Sequence, residues 1–384
     1  LTLTGSAQLW IGPASAFDGN VNFVAPRLLL NGATYNGTAY LEKNGATNND
    51  GDGGNIFNQA TTIVNSGTAY LRTALTSPDV FNANLILTNS GSSTIRMSDN
   101  AAGNQFNGNV EVNSTFGGGI YFGNSAAGTS TLAAGKTIGV GSSGVISGDI
   151  RLIRFTQVGA TPQNLNLSGI AVLTLGPTSS FDGNVDFRAP QILLNGTTYN
   201  GTAYIQKTGA TDNPGTGGNI FNGTTSLVDS GSGYLMTANV APDLFNAGLT
   251  VTNTGSNIIY LAYNVPGSQF NGNITFNSTL GSAGIYFANT VTGSATLGAG
   301  ASLLTGGLGF SSGELRFKRF TQIGAAAQTL VLTGTSLMRI GPSTTFNGNV
   351  DFRSPQFALD GAIYNGTTYL EKTAALLRKV KSAL

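Results

Sequence analysis

The chain has no cysteine and no histidine among its 384 residues. The first absence removes disulfides, thiol nucleophiles and thiolate metal sites. The second removes Ser-His-Asp and Cys-His catalysis together with histidine-based metal chemistry. Charge is scarce as well: 18 Lys and Arg against 17 Asp and Glu, 9% of the residues, give a net charge of +1. With no strong field of either sign, nucleic acid and anionic membranes are not expected as partners. No apolar run approaches the roughly 20 residues of a membrane-spanning helix, so no membrane span is expected. Neither an initiator Met nor a signal peptide opens the chain at Leu1, and an internal piece of a longer protein is expected.

What remains is rich in Gly, with 55 residues, and Asn, Ser and Thr fill most polar positions. All four disfavour helix interiors and suit turns or strands. Disorder is the other home of such a composition, but disordered chains lack aromatic and β-branched residues. Here 21 Phe and 12 Tyr accompany apolar runs such as "LILT" and "VEV". The reading is a folded all-β protein.

One segment is written three times. "LTLTGSAQLWIGPASAFDGNV" at Leu1 returns as "LNLSGIAVLTLGPTSSFDGNV" at Leu165 and as "LVLTGTSLMRIGPSTTFNGNV" at Leu330, so the two intervals are equal to within one position. The chain divides into long repeats at 1–164 and 165–329, a partial third at 330–372, and a basic stretch at 373–384 that reads as a short amphipathic helix, either a cap on the open end or a tail after a truncated repeat.

A shorter period lies inside the long one. Phe57, Phe81 and Phe106 recur at a nearly constant spacing, and Phe221, Phe245 and Phe270 repeat it. The sixth position after each of the first three is Ile63, Leu87 and Val112, and the fourteenth is Leu71, Ile95 and Ile120. Around these anchors residues alternate with the period of two that marks a strand with one buried face. The phrases "NSG", "NTG" and "GGG" between them supply residues tolerant of left-handed backbone angles. Each unit reads as strand, tight turn, strand, loop. A unit of this size cannot bury its own apolar face and must stack on its neighbours.

The expected architecture is therefore a β-solenoid, or parallel β-helix, of about 24-residue coils, with Phe forming an interior stack worth about 1.5–3 kcal/mol per ring. Tandem β-sandwich domains are the alternative. The stretch from Phe17 to Phe57 reads as one coil with a hairpin-like excursion at "YNGTAYLEK".

No catalytic residue is assigned. Acid/base chemistry needs converging carboxylates, whereas the acids here are scattered: Asp18 and Asp182 become Asn347, and Asp186 and Asp351 correspond to Asn22. No cofactor is expected beyond a weak calcium candidate in "NNDGDGG", where Asn48, Asp50 and Asp52 alternate before Gly53 but Gln59 stands where the bidentate Glu belongs. Basic residues concentrate at Arg151 and Arg154, and at the matching Arg316, Lys318 and Arg319. They are candidates for a repeating patch that binds acidic surface glycans, with solvated strand faces as the bland reading. Tyr35, Tyr40, Tyr70 and Tyr121 are candidates for stacking on sugars. N-x-S/T sequons such as Asn36-Gly37-Thr38 follow from the composition.

Taken together, "FNGNV", "YNGTAYLEK", "GGNIFN", "GIYF" and "FTQVGATPQNL" resemble the long tandem arrays of giant secreted surface proteins of Bacteroidetes bacteria. The resemblance covers the chain to about Lys372. It implies export to the cell surface or medium, often by the type IX route, and an adhesin-like role; the C-terminal sorting domain of such families has no counterpart in this sequence. The resulting expectation is a non-catalytic extracellular segment, either an adhesin stalk or a structural filament element, whose partners are the rest of a parent chain or other copies of itself. The alternative expectation is a solenoid lyase or hydrolase of acidic polysaccharide.

Overall fold

The computed structural model describes residues 1–279, 281 and 283–374. Every strand pairing among them is parallel, and the chain winds into a β-solenoid of about 15 turns, about 23 residues apart, with no helix among the described residues. The parallel pairing sets aside tandem sandwiches, whose strands would pair antiparallel. The tail from 375 onward, read from sequence as a short amphipathic helix, lies outside the described residues.

Each coil has three faces rather than the two strands read from the sequence. The Phe face is one unbroken sheet of sixteen strands, each two or three residues long, from Ala16–Phe17 to Ala362–Tyr364. The broad face carries five-residue strands such as Ala39–Lys43, Thr61–Asn65 and Leu85–Asn89. The third face, built from strands such as Leu71–Arg72, Ile95–Arg96 and Ile120–Phe122, displays most of the paired Arg and Tyr.

The ladders fall where the short period places them. Ile63, Leu87 and Val112 are direct partners on the broad face, and Leu71, Ile95 and Ile120 on the third. Leu85, Leu87 and Asn89 are buried while Ile86 and Thr88 between them are half-buried on the outside, as a two-residue period requires.

On the Phe face the interior ladder runs Phe17, Tyr35, Phe57, Phe81, Phe106, Leu132, Gln157 and then Phe181. The coils lengthen along it, from the short turn between Phe17 and Tyr35 to the longest between Phe106 and Leu132. From Phe181 the cadence repeats through Tyr199, Phe221, Phe245, Phe270, Leu297, Gln322 and Phe346, with one residue added between Phe270 and Leu297. The long repeat is thus a stack of seven coils. Ring centroids lie 4.6 Å apart from Tyr35 to Phe57, 4.7 Å from Phe57 to Phe81 and 4.8 Å from Tyr199 to Phe221, each contact adding about 0.5–1.5 kcal/mol beyond area burial.

This ladder corrects two sequence readings. The stretch from Phe17 to Phe57 is two short coils, one from Phe17 to Tyr35 and one from Tyr35 to Phe57. "YNGTAYLEK" is no hairpin: Ala39–Lys43 pairs in parallel with Val21–Ala25 on one side and Thr61–Asn65 on the other. Tyr35, read as a surface sugar platform, is fully buried because it occupies a Phe rung.

Close approach of coils, rather than left-handed angles, explains the Gly of "NSG" and "NTG". Gly67, Gly91 and Gly255 lie outside the left-handed region, but a Cβ at Gly91 would meet the Gly67 carbonyl oxygen at 2.0 Å.

The broad face is interrupted once per long repeat, where the eight-residue strands Ile138–Val145 and Leu303–Phe310 bulge outward. A side-chain amide bridges the gap. Gln163 Oε1 accepts from Ile138 N at 2.8 Å while its Nε2 donates to Lys136 O and Thr161 O at 3.0 and 2.9 Å. Gln328 repeats this with Leu303, Ala301 and Ala326. The side chain supplies the donor and acceptor that a neighbouring peptide would, so the buried groups stay paired.

Candidate functional site

The residue after each interior Phe or Tyr is usually Asn, and these form surface ladders. Asn36 donates to Asp18 at 2.8 Å, Asn58 to Asn36 at 2.8 Å, Asn82 to Asn58 at 2.9 Å and Asn107 to Asn82 at 2.9 Å. Asp182, Asn200, Asn222, Asn246 and Asn271 repeat the pattern, at 2.7, 2.8, 2.8 and 3.0 Å. The fourth residue of the phrase holds the corner: the side-chain oxygens of Asn20, Asn84 and Asn109 accept from Thr38 N, Asn109 N and Thr137 N in the next coil. Phe fills the core, the first Asn ties coils at the surface, and the second ties the turn.

A second polar ladder is buried at the end of the broad strands. Lys43, Asn65, Asn89 and Ser114 are successive partners, matched by Lys207, Asp229, Asn253 and Ser278. The Lys, Asn and Ser members return donors to carbonyls of their own loop or the next, as Lys43 Nζ does to Gly45 O and Ala69 O at 2.6 and 3.0 Å and Asn89 Nδ2 to Ser93 O and Gly119 O at 2.7 and 3.0 Å, whereas Asp229 Oδ1 accepts from Gly231 N at 3.0 Å. Burial lowers the Lys43 pKa to about 8. Lys207 faces Asp229 at 3.6 Å; burial pushes Asp229 up to about 6 against the pull of the ammonium.

A third ladder turns the corner into the Phe face. Asn55 N and Nδ2 both donate to Asp79 Oδ1, at 2.9 and 2.8 Å, and Asp79 N donates to Asn104 Oδ1 at 2.9 Å. Asn219 and Asp243 reproduce the first pair. Burial pushes Asp79 up to about 7 and Asp243 to about 6, opposed by these hydrogen bonds.

The basic candidates split into two kinds. Arg151 and Arg316 lie on the third face, each beside its own acid: Arg151 Nε meets Asp149 at 2.5 Å, and Arg316 Nε meets Glu314 at 2.6 Å and its Nη1 Asn289 at 2.8 Å. Their guanidinium groups cover the rings of Tyr121 and Tyr286 at 4.2 and 3.9 Å. Arg154 and Arg319 sit at a corner with φ of 49° and 42°. Their side chains fold back on the chain, Arg154 Nε to Gly128 O at 2.8 Å and Arg319 Nε and Nη2 to Gly293 O and Ala288 O at 2.7 and 2.6 Å. Lys318 Nζ makes one long contact, 3.4 Å to Asn289 O. The five basic residues are therefore divided between two surfaces, and four of them are engaged internally.

The calcium candidates do not converge by their side chains. Asp50 accepts from Tyr70 Oη at 2.7 Å and pairs with Arg72 at 3.2 Å. Asn48 contributes its carbonyl to Arg27 Nε at 3.1 Å, and the Asp52 carbonyl accepts from Thr76 N and Ser77 N at 2.9 Å. Among the described residues no three acidic side chains gather as a metal group. Of the aromatic candidates, Tyr40 is tied to Glu42 at 2.8 Å, and the Tyr70 ring is covered by Arg96 at 4.2 Å.

Sequence reasoning missed the buried Lys43 and Lys207, the bridging Gln163 and Gln328, and the buried Asp79 and Asp243. One signal was present: each of these types returns at the matching place of the next long repeat. No protein family, curated protein or solved structure matches this chain.

Proposed function

We propose that the chain is a non-catalytic repeat segment that serves outside the cell as the stalk of a surface adhesin or as a structural filament element. The observation that carries this reading is where the polar groups go. Lys, Asp, Asn and Gln side chains, recurring once per seven coils, are engaged in hydrogen bonds between and within coils. A rod built this way lengthens by adding units, and each unit brings its own fastenings. The expected site outside the cell rests on the resemblance to secreted surface arrays.

Retention of the chain on a panel of neutral and acidic glycans tests the reading. A stalk gives no saturable retention. Saturable retention abolished by changing Arg316, Lys318 and Arg319 together to Ala overturns it and makes the repeat itself the adhesive module.

A further inference from the structure

Charge is distributed unevenly around the coil. Among the described residues, not one of the sixteen strands of the Phe face contains Asp, Glu, Lys or Arg. The broad face carries Glu42, Glu111, Asp186 and Arg188, and the third face carries its Arg and acid pairs. The outward row of the Phe face is uncharged, with Thr34, Ile56, Val80, Thr198, Ile220 and Leu244 in register from coil to coil and Gln105, Ser180 and Gln269 set among its Thr and apolar side chains. Ile56 and Ile220 are 39% and 37% exposed.

Beside that row runs the Asn ladder. From Asn36 to Asn107 and from Asn200 to Asn271 each Asn of the ladder uses one amide N–H on the preceding coil, and an amide carries two, so a second donor recurs over four successive rungs of each long repeat. Among the described residues the charges in this second row are Asp18 and Asp182, which head the two ladders and accept from Asn36 and Asn200. Arg154 and Arg319, at the flanking corner, are folded back onto carbonyls.

We propose that the Phe face is a lateral docking surface whose occupant is a second copy of this chain, so that two rods lie side by side along their length. Three features select that occupant. A partner that meets every rung needs the coil spacing of this solenoid, and a second copy has it. Depletion of charge is the compositional mark of an interface core, and stacked Asn ladders favour close sheet-to-sheet contact. The area also suffices. Sixteen strands at about 4.8 Å make a strip about 75 Å long, and two outward rows make it about 10 Å wide. That is about 750 Å² per partner, close to the roughly 800 Å² that each side of a stable complex buries. The proposal rests on the rod reading, since a compact particle would present no such strip.

Sedimentation velocity of the full 384-residue chain over rising concentration, together with its scattering profile, tests this. The expected result is a concentration-dependent dimer whose cross-section, not length, is enlarged. Two independent variants, Ile56→Lys with Val80→Lys and Ile220→Lys with Leu244→Lys, are expected to shift dissociation at least about 10-fold toward monomer while the far-ultraviolet circular dichroism stays that of the parent. Ser226→Lys, on the broad face, is expected to leave the dimer intact. A chain that stays monomeric up to about 1 mM, a dimer indifferent to both Lys pairs, or one broken equally by Ser226→Lys overturns the proposal. So does a monomer that is instead retained on an insoluble crystalline polysaccharide. A rod-shaped monomer sinks the lateral pairing alone, whereas a compact particle sinks the rod reading with it.

Discussion

Lys207 and Asp229 face each other 3.6 Å apart with both side chains fully buried, at the two rungs where the first repeat holds Lys43 and Asn65. The same fold thus accepts the lysine with and without an acid. Carbonyl oxygens carry most of the coordination in both repeats, Gly209 O and Gly233 O at 2.6 and 2.7 Å for Lys207. Asp229→Asn recreates the first repeat and is expected to cost less than about 1 kcal/mol, whereas Lys207→Met strands a buried carboxylate and is expected to cost about 3–5 kcal/mol. Urea unfolding of the two variants checks this; equal losses would contradict it.

The aromatic ladder separates packing from hydroxyl chemistry at one position. The Tyr35 hydroxyl is buried without a hydrogen-bond partner in the structure, while its ring stacks on Phe57. Tyr35→Phe is expected to be neutral or stabilising, whereas Tyr35→Ala should cost about 3–5 kcal/mol. A loss above about 1 kcal/mol for Tyr35→Phe would show that the hydroxyl is paired after all.

Asp79 and Asp243 set a pH dependence of unusual sign for carboxylates. Burial raises them from 3.8 to about 7 and about 6, so the fold holds these protons more tightly than the unfolded chain. Their contribution is fully present below the unfolded pKa of 3.8 and is lost as pH rises through about 6 to 7. Asp79→Asn combined with Asp243→Asn should gain stability over the parent across that window and hold a lead of about 1–3 kcal/mol at alkaline pH. Paired thermal melts at several pH values provide the check. A lead that shrinks as pH rises would reverse the sign and contradict the assignment.

Gln163 bridges the interruption of the broad face, so Gln163→Leu should leave the Ile138 N–H and two carbonyls without this partner and cost about 1–3 kcal/mol. Hydrogen exchange should quicken at Ile138 and its neighbours while the rungs Leu85 to Val112 keep their protection. Uniform quickening along the rod would show that the bridge is no local device.

Much of the fold was legible because an interior ladder demands one residue class at one spacing. Phe57, Phe81 and Phe106 announced the coil, and Ile63, Leu87 and Val112 its buried row. Tyr35 hid the two shortest coils, since a Tyr with a polar tip reads as a surface residue until the "YNG" at Tyr35 is set beside the "FNG" at Phe106. The buried charges were illegible for a different reason. A Lys at the end of "YLEK" looks solvated, and only the turn carbonyls brought round by the next coil make Lys43 a buried donor. The division of the basic cluster was illegible too, because "RLIRF" places Arg151 on a strand and Arg154 at a corner.

The central claim is that seven coils form one unit of fixed height. Small-angle scattering of the chain beside a version in which residues 165–329 are duplicated in tandem tests it most directly. Seven coils at about 4.8 Å predict an added length of about 34 Å with the cross-section unchanged. A duplicated chain that thickens, or that lengthens by markedly less, would contradict the account.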